Sequence, residues 1–376
     1  MIGSATSKRT KRTKPITGAP SSEISPAAEI IANNVDLLTE ILLRLRAKSL
    51  ILFKSVSKHW FSLISNSQFS ITLSRRNPNP SISSWFFSSM PPEHSTRPTI
   101  THSCNGLLLI RYPPTMHFLV FNPTIQKYRL IIPYPSIYSS GSNLVRLHAY
   151  LDFDPSKSPH YKVVLLIIYG CPTSFNVGID IYSSGSMSWK QIHAHGNELI
   201  HAAFSGGVFY WFGDENMLVG FDVDSAKMIE MPNAPKIQRA DRISIQYFGG
   251  CGGRLILILD PMVIKILEMD KNDGSWKIDC EVDLHLMSAL LHQPKPYWNY
   301  DSSVLSVVKK EEGKGYELIV AFPREVFCGN VITYNLSYIM EFKVWTVVCE
   351  VVPGESICDT PPNTIVHPYI ESLSPV

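Results

Sequence analysis

Long apolar runs are missing from this 376-residue chain. Its uninterrupted apolar stretches, such as Val163–Tyr169, fall far short of the roughly 20 residues that a membrane-spanning helix requires, so no bilayer span is expected. Residues 1–30 also lack the apolar stretch and small-residue cleavage site of a secretory leader, which points to the nucleus and/or cytoplasm. An excess of charge of one sign is missing too: 34 basic side chains stand against 32 acidic ones, a net of +2. A field that weak excludes a general nucleic-acid binder and leaves only local basic sites.

Cysteine pairs are absent as well. The 7 cysteines (104, 171, 251, 280, 328, 349 and 358) are odd in number and scattered, with no C-x-x-C spacing. They read as reduced core residues rather than a disulfide framework or a zinc site. His193 and His195 would share a strand face and His102 lies near Cys104, but neither pair has a third ligand nearby, so no metal is expected. No G-x-S-x-G, H-E-x-x-H or S-x-x-K is present to anchor hydrolysis. The run Gly249-Gly250-Cys251-Gly252-Gly253 lacks phosphate-loop spacing and reads as a turn between strands. Asp154-Pro155 and Asp260-Pro261 read as turns, not as paired acids. Neither catalysis nor a cofactor is expected.

What is present is a composition of 45% apolar and 18% charged residues, enough to bury cores. The length allows two domains, or one small module beside a large β fold. Residues 1–30 are rich in Ser, Thr, Pro, Lys and Arg and read as a disordered tail. Within it Lys8, Arg9, Lys11, Arg12 and Lys14 form a basic cluster that suits a nuclear import signal, a phosphate-contacting patch or simply a solvated tail.

Between residues 31 and 75 the period becomes helical. Leu37, Leu38, Ile41, Leu42 and Leu45 recur at steps of three and four, placing them on one helix face. Asn33 or Asn34 caps the start, Asp36 lies in the first turn and Arg44 and Arg46 in the last. A second helical pulse runs from Leu50 to Val56 and a third through Trp60, Leu63 and Ile64, with breaks near Ala47 and Ser55–Ser57. A core this thin calls for a partner.

From residue 82 to 376 the pattern is all-β: short β-branched and aromatic runs alternate with Gly, Pro, Asn, Asp and Ser clusters. The expected strands begin at Leu107–Ile110 and include Ile243–Phe248, Asn330–Asn335 and Phe342–Val348; there are too many for a sandwich. An apolar strand, a polar turn and a strand opening with Lys, Met or Trp recur at Phe121-Asn122…Lys127, Tyr182-Ser183…Trp189, Phe221-Asp222…Lys227, Leu267…Trp276 and Tyr334-Asn335…Trp345. Their spacing of roughly 40–65 residues is that of propeller blades. Trp85–Phe87 and Ile365–Ile370 are expected to pair and seal a sixth blade. Trp189, Trp211, Trp276 and Trp345 recur at repeat positions and read as blade core.

The segment Asp36 to Ile64, with Leu37, Leu38, Ile41, Leu42, Leu45, Leu50, Phe53, Val56 and Trp60 in register, closely resembles the F-box of plant F-box proteins. The β region resembles the F-box-associated, kelch-like β-propeller domain through Ser103-Cys104-Asn105-Gly106-Leu107-Leu108, Phe121-Asn122-Pro123-Thr124, Phe153-Asp154-Pro155-Ser156 and Phe221-Asp222-Val223-Asp224. The resemblance implies a small all-α F-box followed by an all-β propeller-like domain. It also implies that those nine apolar residues face a Skp-type adaptor or form the small core beneath it. Through the adaptor come cullin and RING subunits, and the β domain receives a target protein for ubiquitination. Arg46 stands where the family usually has Pro, Leu52 where a basic residue is usual, and Asn33-Asn34-Val35 replaces a Leu-Pro start. Losing the Pro costs up to about 1 kcal/mol of turn preorganisation, while every apolar anchor is kept. The expected role is therefore that of a non-catalytic substrate receptor in an SCF-type (Skp–cullin–F-box) ubiquitin ligase. The alternative is a stand-alone propeller binding module or ligand sensor with a degenerate F-box.

Overall fold

The computed structural model describes residues 26–77, 82–89, 97–112, 115, 117–132, 144–171, 174–194, 202–212, 218–231, 245, 247–251, 254–258, 263–270, 274–283, 303–309, 316–322, 325–331, 346–350 and 364–376. Five short helices come first: α1 (Pro26–Asn33), α2 (Val35–Leu42), α3 (Ala47–Phe53), α4 (Lys58–Ser65) and α5 (Ser67–Arg76). Contacts divide the chain into two compact units, one ending at Leu45 and one spanning Arg46–Val376. Helix α1 overlaps the segment read as tail; residues 1–25 lie outside the described residues.

In the first unit Asn34 caps α2, its side-chain oxygen accepting from the Asp36 and Leu37 N–H groups at 3.1 Å. The cap expectation holds at Asn34. The helix stops at Leu42, earlier than the apolar period suggests, so Arg44 and Arg46 fall beyond its last turn.

In the second unit the helices precede five four-stranded antiparallel sheets. The first holds β2 (Thr99–Cys104), β3 (Leu107–Tyr112), β4 (His117–Asn122) and β5 (Lys127–Ile131), and the second β6 (Leu144–Asp152), β7 (Lys162–Cys171), β8 (Ser174–Ser183) and β9 (Ser188–Ala194). The third holds β10 (Ala202–Ser205), β11 (Val208–Phe212), β12 (Leu218–Asp222) and β13 (Lys227–Glu230), and the fourth β14 (Tyr247–Cys251), β15 (Arg254–Ile258), β16 (Val263–Met269) and β17 (Trp276–Asp283). The fifth holds β18 (Ser303–Lys309), β19 (Tyr316–Phe322), β20 (Glu325–Val331) and β21 (Thr346–Glu350). A two-stranded sheet joins β1 (Ser84–Ser89) to β22 (Thr364–Tyr369), with Trp85 opposite Pro368 and Phe87 opposite Val366. This is the pairing of the two chain ends that the sequence suggested.

The sheets pack face to face. Leu107, Leu109, Phe118 and Val120 of the first meet Leu151, Val163 and Leu165 of the second, with Trp189 at the margin. Ile179 and Ile181 meet Phe209 and Trp211, and Phe212 meets Leu255 and Leu257, with Trp276 beside them. Three of the four expected core tryptophans are thus in place; Trp345 lies outside the described residues. First strands lie against first strands: β2 on β6, β10 on β14, β14 on β18, and β22 on both β18 and β2. At one such approach a Cβ on Gly250 would come within 2.5 Å of the Phe204 carbonyl oxygen, so only glycine admits it. The described strand there is Tyr247–Cys251, residues 243, 244 and 246 of the expected strand lying outside the described residues, and Cys251 pairs with Arg254, with Gly252 and Gly253 also outside the described residues.

The repeat noted in the sequence is the outer hairpin of the first four sheets. Its turn ends in the left-handed region: Gln126, Met187 and Ala226 have φ of 53°, 53° and 55°, and Gly274, two residues ahead of β17, has 68°. The fifth instance, 333–345, lies outside the described residues. Strand β20 runs over Glu325–Val331, and residues 332–335 of the expected strand 330–335 lie outside the described residues.

The carboxyl end is stitched onto the first sheet. The Asn122 side-chain amide, fully buried, donates to the Ser372 and Ser374 carbonyls at 3.0 and 2.9 Å. Tyr369 O–H lies 2.5 Å from Thr124 Oγ1, and the Ser103 hydroxyl donates to the Pro368 carbonyl at 2.7 Å. Gly106 forms the β2–β3 turn with Asn105, at φ of 86° and 45°. A Cβ there would come within 2.3 Å of Ser372 Cβ. Gly106→Ala should therefore lower unfolding stability by about 3 kcal/mol and expose residues 370–376 to protease. Met187→Gly, on an exposed turn with no such contact, should raise it by about 0.5 kcal/mol. Denaturant unfolding of both variants checks the pair.

Candidate functional site

The apolar stripe of the helical region is divided by burial. On α2, Leu38 and Leu42 are fully buried, whereas Leu37 and Ile41 remain 46% and 44% exposed. The exposed pair is spaced by four residues and so shares a helix face. Val35 is exposed as well, and Leu45 is half-buried.

In the second unit Leu50 is fully buried while Leu52 is 71% exposed, and Val56 and Phe61 are also exposed. Phe53 and Trp60 are half-buried against each other, edge to face with centroids 5.6 Å apart. The Lys54 ammonium sits 6.0 Å over the Phe61 ring. Of the nine residues nominated from the sequence, Leu37, Ile41 and Val56 are exposed, Leu38, Leu42 and Leu50 are buried, and Leu45, Phe53 and Trp60 are half-buried. The sequence reading missed Val35, Leu52 and Phe61. For Leu52 the signal was available, since it departs from the family pattern toward an apolar residue four positions before Val56.

Helix α3 has an unusual start. Its N-cap residue, Arg46, makes no side-chain cap. Glu371, from the carboxyl-terminal segment, accepts from the Lys48 N–H at 3.3 Å and pairs with Lys48 Nζ at 3.0 Å. A carboxylate at that end satisfies an orphan donor and suits the helix dipole. Arg46 itself has φ of −67°, the value a proline ring imposes, so the backbone keeps the turn without the Pro. Helix α5 is tied down in turn, Arg75 Nε donating to the Ser156 carbonyl at 2.8 Å. Ser156 belongs to the Asp154-Pro155 turn, whose Asp154 carboxylate accepts from Ser156 N–H and Oγ–H. The Asp-Pro motif is a turn, as read.

The other constellations resolve as structure. His102 Nδ1 accepts from the Leu151 N–H at 3.2 Å, and burial, then the neighbouring His367, pulls its pKa down to about 3. The Cys104 thiol donates to the Phe153 carbonyl and is pushed up to about 12 by burial. Among the described residues no group of three or more His, Cys, Asp or Glu could hold an ion. No helix among them is long and apolar enough to cross a membrane. His195 lies outside the described residues.

Two model families match the sequence: the F-box domain over residues 34–72 and the F-box associated beta propeller domain over residues 61–314. The chain is 27% identical to F-box protein At5g07610 of Arabidopsis thaliana, covering 85% of this chain and 88% of that one. It is 28% identical to the putative F-box proteins At1g32420, over 62% of this chain and 85% of that one, and At5g50220, over 66% and 70%, both from the same plant.

Two predictions follow from the burial pattern and the histidines. Leu42→Asp should cost about 3 kcal/mol or more and melt α2, because it buries an unpaired charge, whereas Leu37→Asp should change stability by under about 0.5 kcal/mol; circular dichroism on melting separates them. His367 Nε2 lies 3.0 Å from the Ile100 carbonyl, and burial lowers its pKa to about 4. An unfolded histidine titrates near 6.5. Below about pH 6.5 the unfolded chain therefore binds protons that folded His102 and His367 refuse, so stability falls as pH drops toward 4. His367→Gln, which can still donate to Ile100, should move the acid-unfolding midpoint to lower pH.

Proposed function

As this chain belongs to the F-box associated beta propeller domain family and carries an F-box ahead of that domain, we propose that it is the substrate-recognition subunit of an SCF-type ubiquitin ligase. An F-box is a non-catalytic adaptor module, so the chain contributes position rather than chemistry. The F-box docks on a Skp-type protein, which brings cullin and RING subunits, and the β domain holds the target. Holding a target lysine beside a charged conjugating enzyme raises effective concentration.

The observation that carries the reading is a matched F-box, residues 34–72, that keeps large apolar side chains in solvent: Leu37 and Ile41 in one unit, Leu52, Val56 and Phe61 in the other. Helix-in-groove recognition draws its affinity from such anchors. Contacts of β22 with both β18 and β2 support a closed ring of sheets, a propeller whose sixth blade joins the chain ends. The working compartment on this reading is the nucleus and/or cytoplasm.

Ile41→Asp and Leu52→Asp, both at exposed positions, should each reduce capture of a Skp-type adaptor at least about tenfold with thermal unfolding unchanged. Undiminished capture by both variants rejects the docking model.

A further inference from the structure

The outer strand of the first sheet differs from those of its neighbours. Strand β5 is the last of its sheet, and its far edge pairs with no other described strand. On one face it carries Tyr128 and Leu130, with Ile132 just beyond, 68%, 52% and 61% exposed. This stripe is the margin of a wider apolar face: Leu130 pairs with Leu119 and Leu119 with Ile110, while Tyr128 pairs with Phe121 and Phe121 with Leu108.

At the Tyr128 position the sister sheets are apolar too, with Trp189 on β9 and Met228 on β13, but at the Leu130 position they are not. Pairing with the preceding strand places Gln191 of β9 and Glu230 of β13 where β5 has Leu130. Polar residues there are the ordinary protection of an exposed edge, and the first sheet alone of these three gives it up. An exposed cation, Lys127, stands at the start of the strand and forms no ion pair with a carboxylate among the described residues.

We propose that the β5 edge, Tyr128, Leu130 and Ile132 with Lys127 at one end, is the docking surface for an extended segment of the target protein, apolar at alternate residues and acidic at one end. Such a segment adds a strand to the sheet: main-chain hydrogen bonds supply affinity, alternate side chains cover the stripe, and the acidic end meets the Lys127 ammonium. The proposal rests on the receptor reading for its biological sense, but its chemistry stands apart from the F-box.

The test uses the full chain and a fluorescein-labelled decapeptide in which a run of aspartates precedes alternating valine and threonine. Anisotropy should show saturable binding that weakens as salt rises, with Leu130→Gln combined with Ile132→Thr reducing affinity about tenfold or more. Lys127→Glu should weaken binding and flatten the salt dependence, and a control peptide with lysines for aspartates should bind poorly. The variants must melt like the parent chain and still capture the Skp-type adaptor. Absence of saturable probe binding, or equal binding by the double variant, overturns the proposal. So does a concentration-dependent dimer that the double variant abolishes, since the edge would then belong to a second copy. Loss of adaptor capture by Ile41→Asp with probe binding intact leaves the edge assignment standing, and adaptor capture that survives that change while the probe still binds counts against the receptor reading alone.

Discussion

One buried side-chain amide anchors much of what surrounds it. Asn122, at the end of β4, binds the carbonyls of Ser372 and Ser374, and so fixes the last residues of the chain against the first sheet. A buried amide left without those partners would incur the uncompensated desolvation cost of a polar group in an apolar setting. From that clasp the neighbouring contacts follow: Tyr369 reaches Thr124, β22 pairs with β1, and Glu371 is held where it caps α3. The carboxyl end therefore serves the sheet and the helix at once, and a helix whose own N-cap residue is an arginine borrows its acceptor from more than three hundred residues away.

The segments that carry family likeness in the β region turn out to be joints. Asn105 reaches the Phe153 carbonyl with its side-chain amide at 2.7 Å, Gly106 makes room for Ser372, Asn122 and Thr124 hold the tail, and Asp154 braces the turn that receives Arg75. Their chemistry is that of turns and hydrogen bonds between segments. On the proposed reading a target is recognised outside these motifs, where the sheets cease to resemble one another, as at strand β5.

Much of the secondary structure was legible because it rests on short-range periodicity. The outer hairpins of four sheets follow the apolar strand, polar turn and Lys or Trp start seen in the chain, and Asn34 caps as its side chain predicts. Strand β2, by contrast, was read only as a motif. Its residues Thr99–Cys104 are half-buried throughout and carry no clean alternation, although Asn105-Gly106 is the dipeptide of a tight hairpin. Strand β10, Ala202–Ser205, is too short and too poor in β-branched residues to stand out. Helix α5 did not stand out in the sequence; Asn66 ends the helix before it and caps α5.

Taken alone, the amino-acid order determined the division into a helical segment and a β region, the repeating outer hairpins, the meeting of the two chain ends and the family, since each depends on residue type at fixed local spacing. Tertiary structure decided which leucines of the helical stripe are surface and which are core. It also decided that Glu371 serves α3 and that the first sheet keeps an apolar edge. Periodicity assigns a side chain to a face, but what lies opposite that face is set by chain segments hundreds of residues distant, and only folding brings them there.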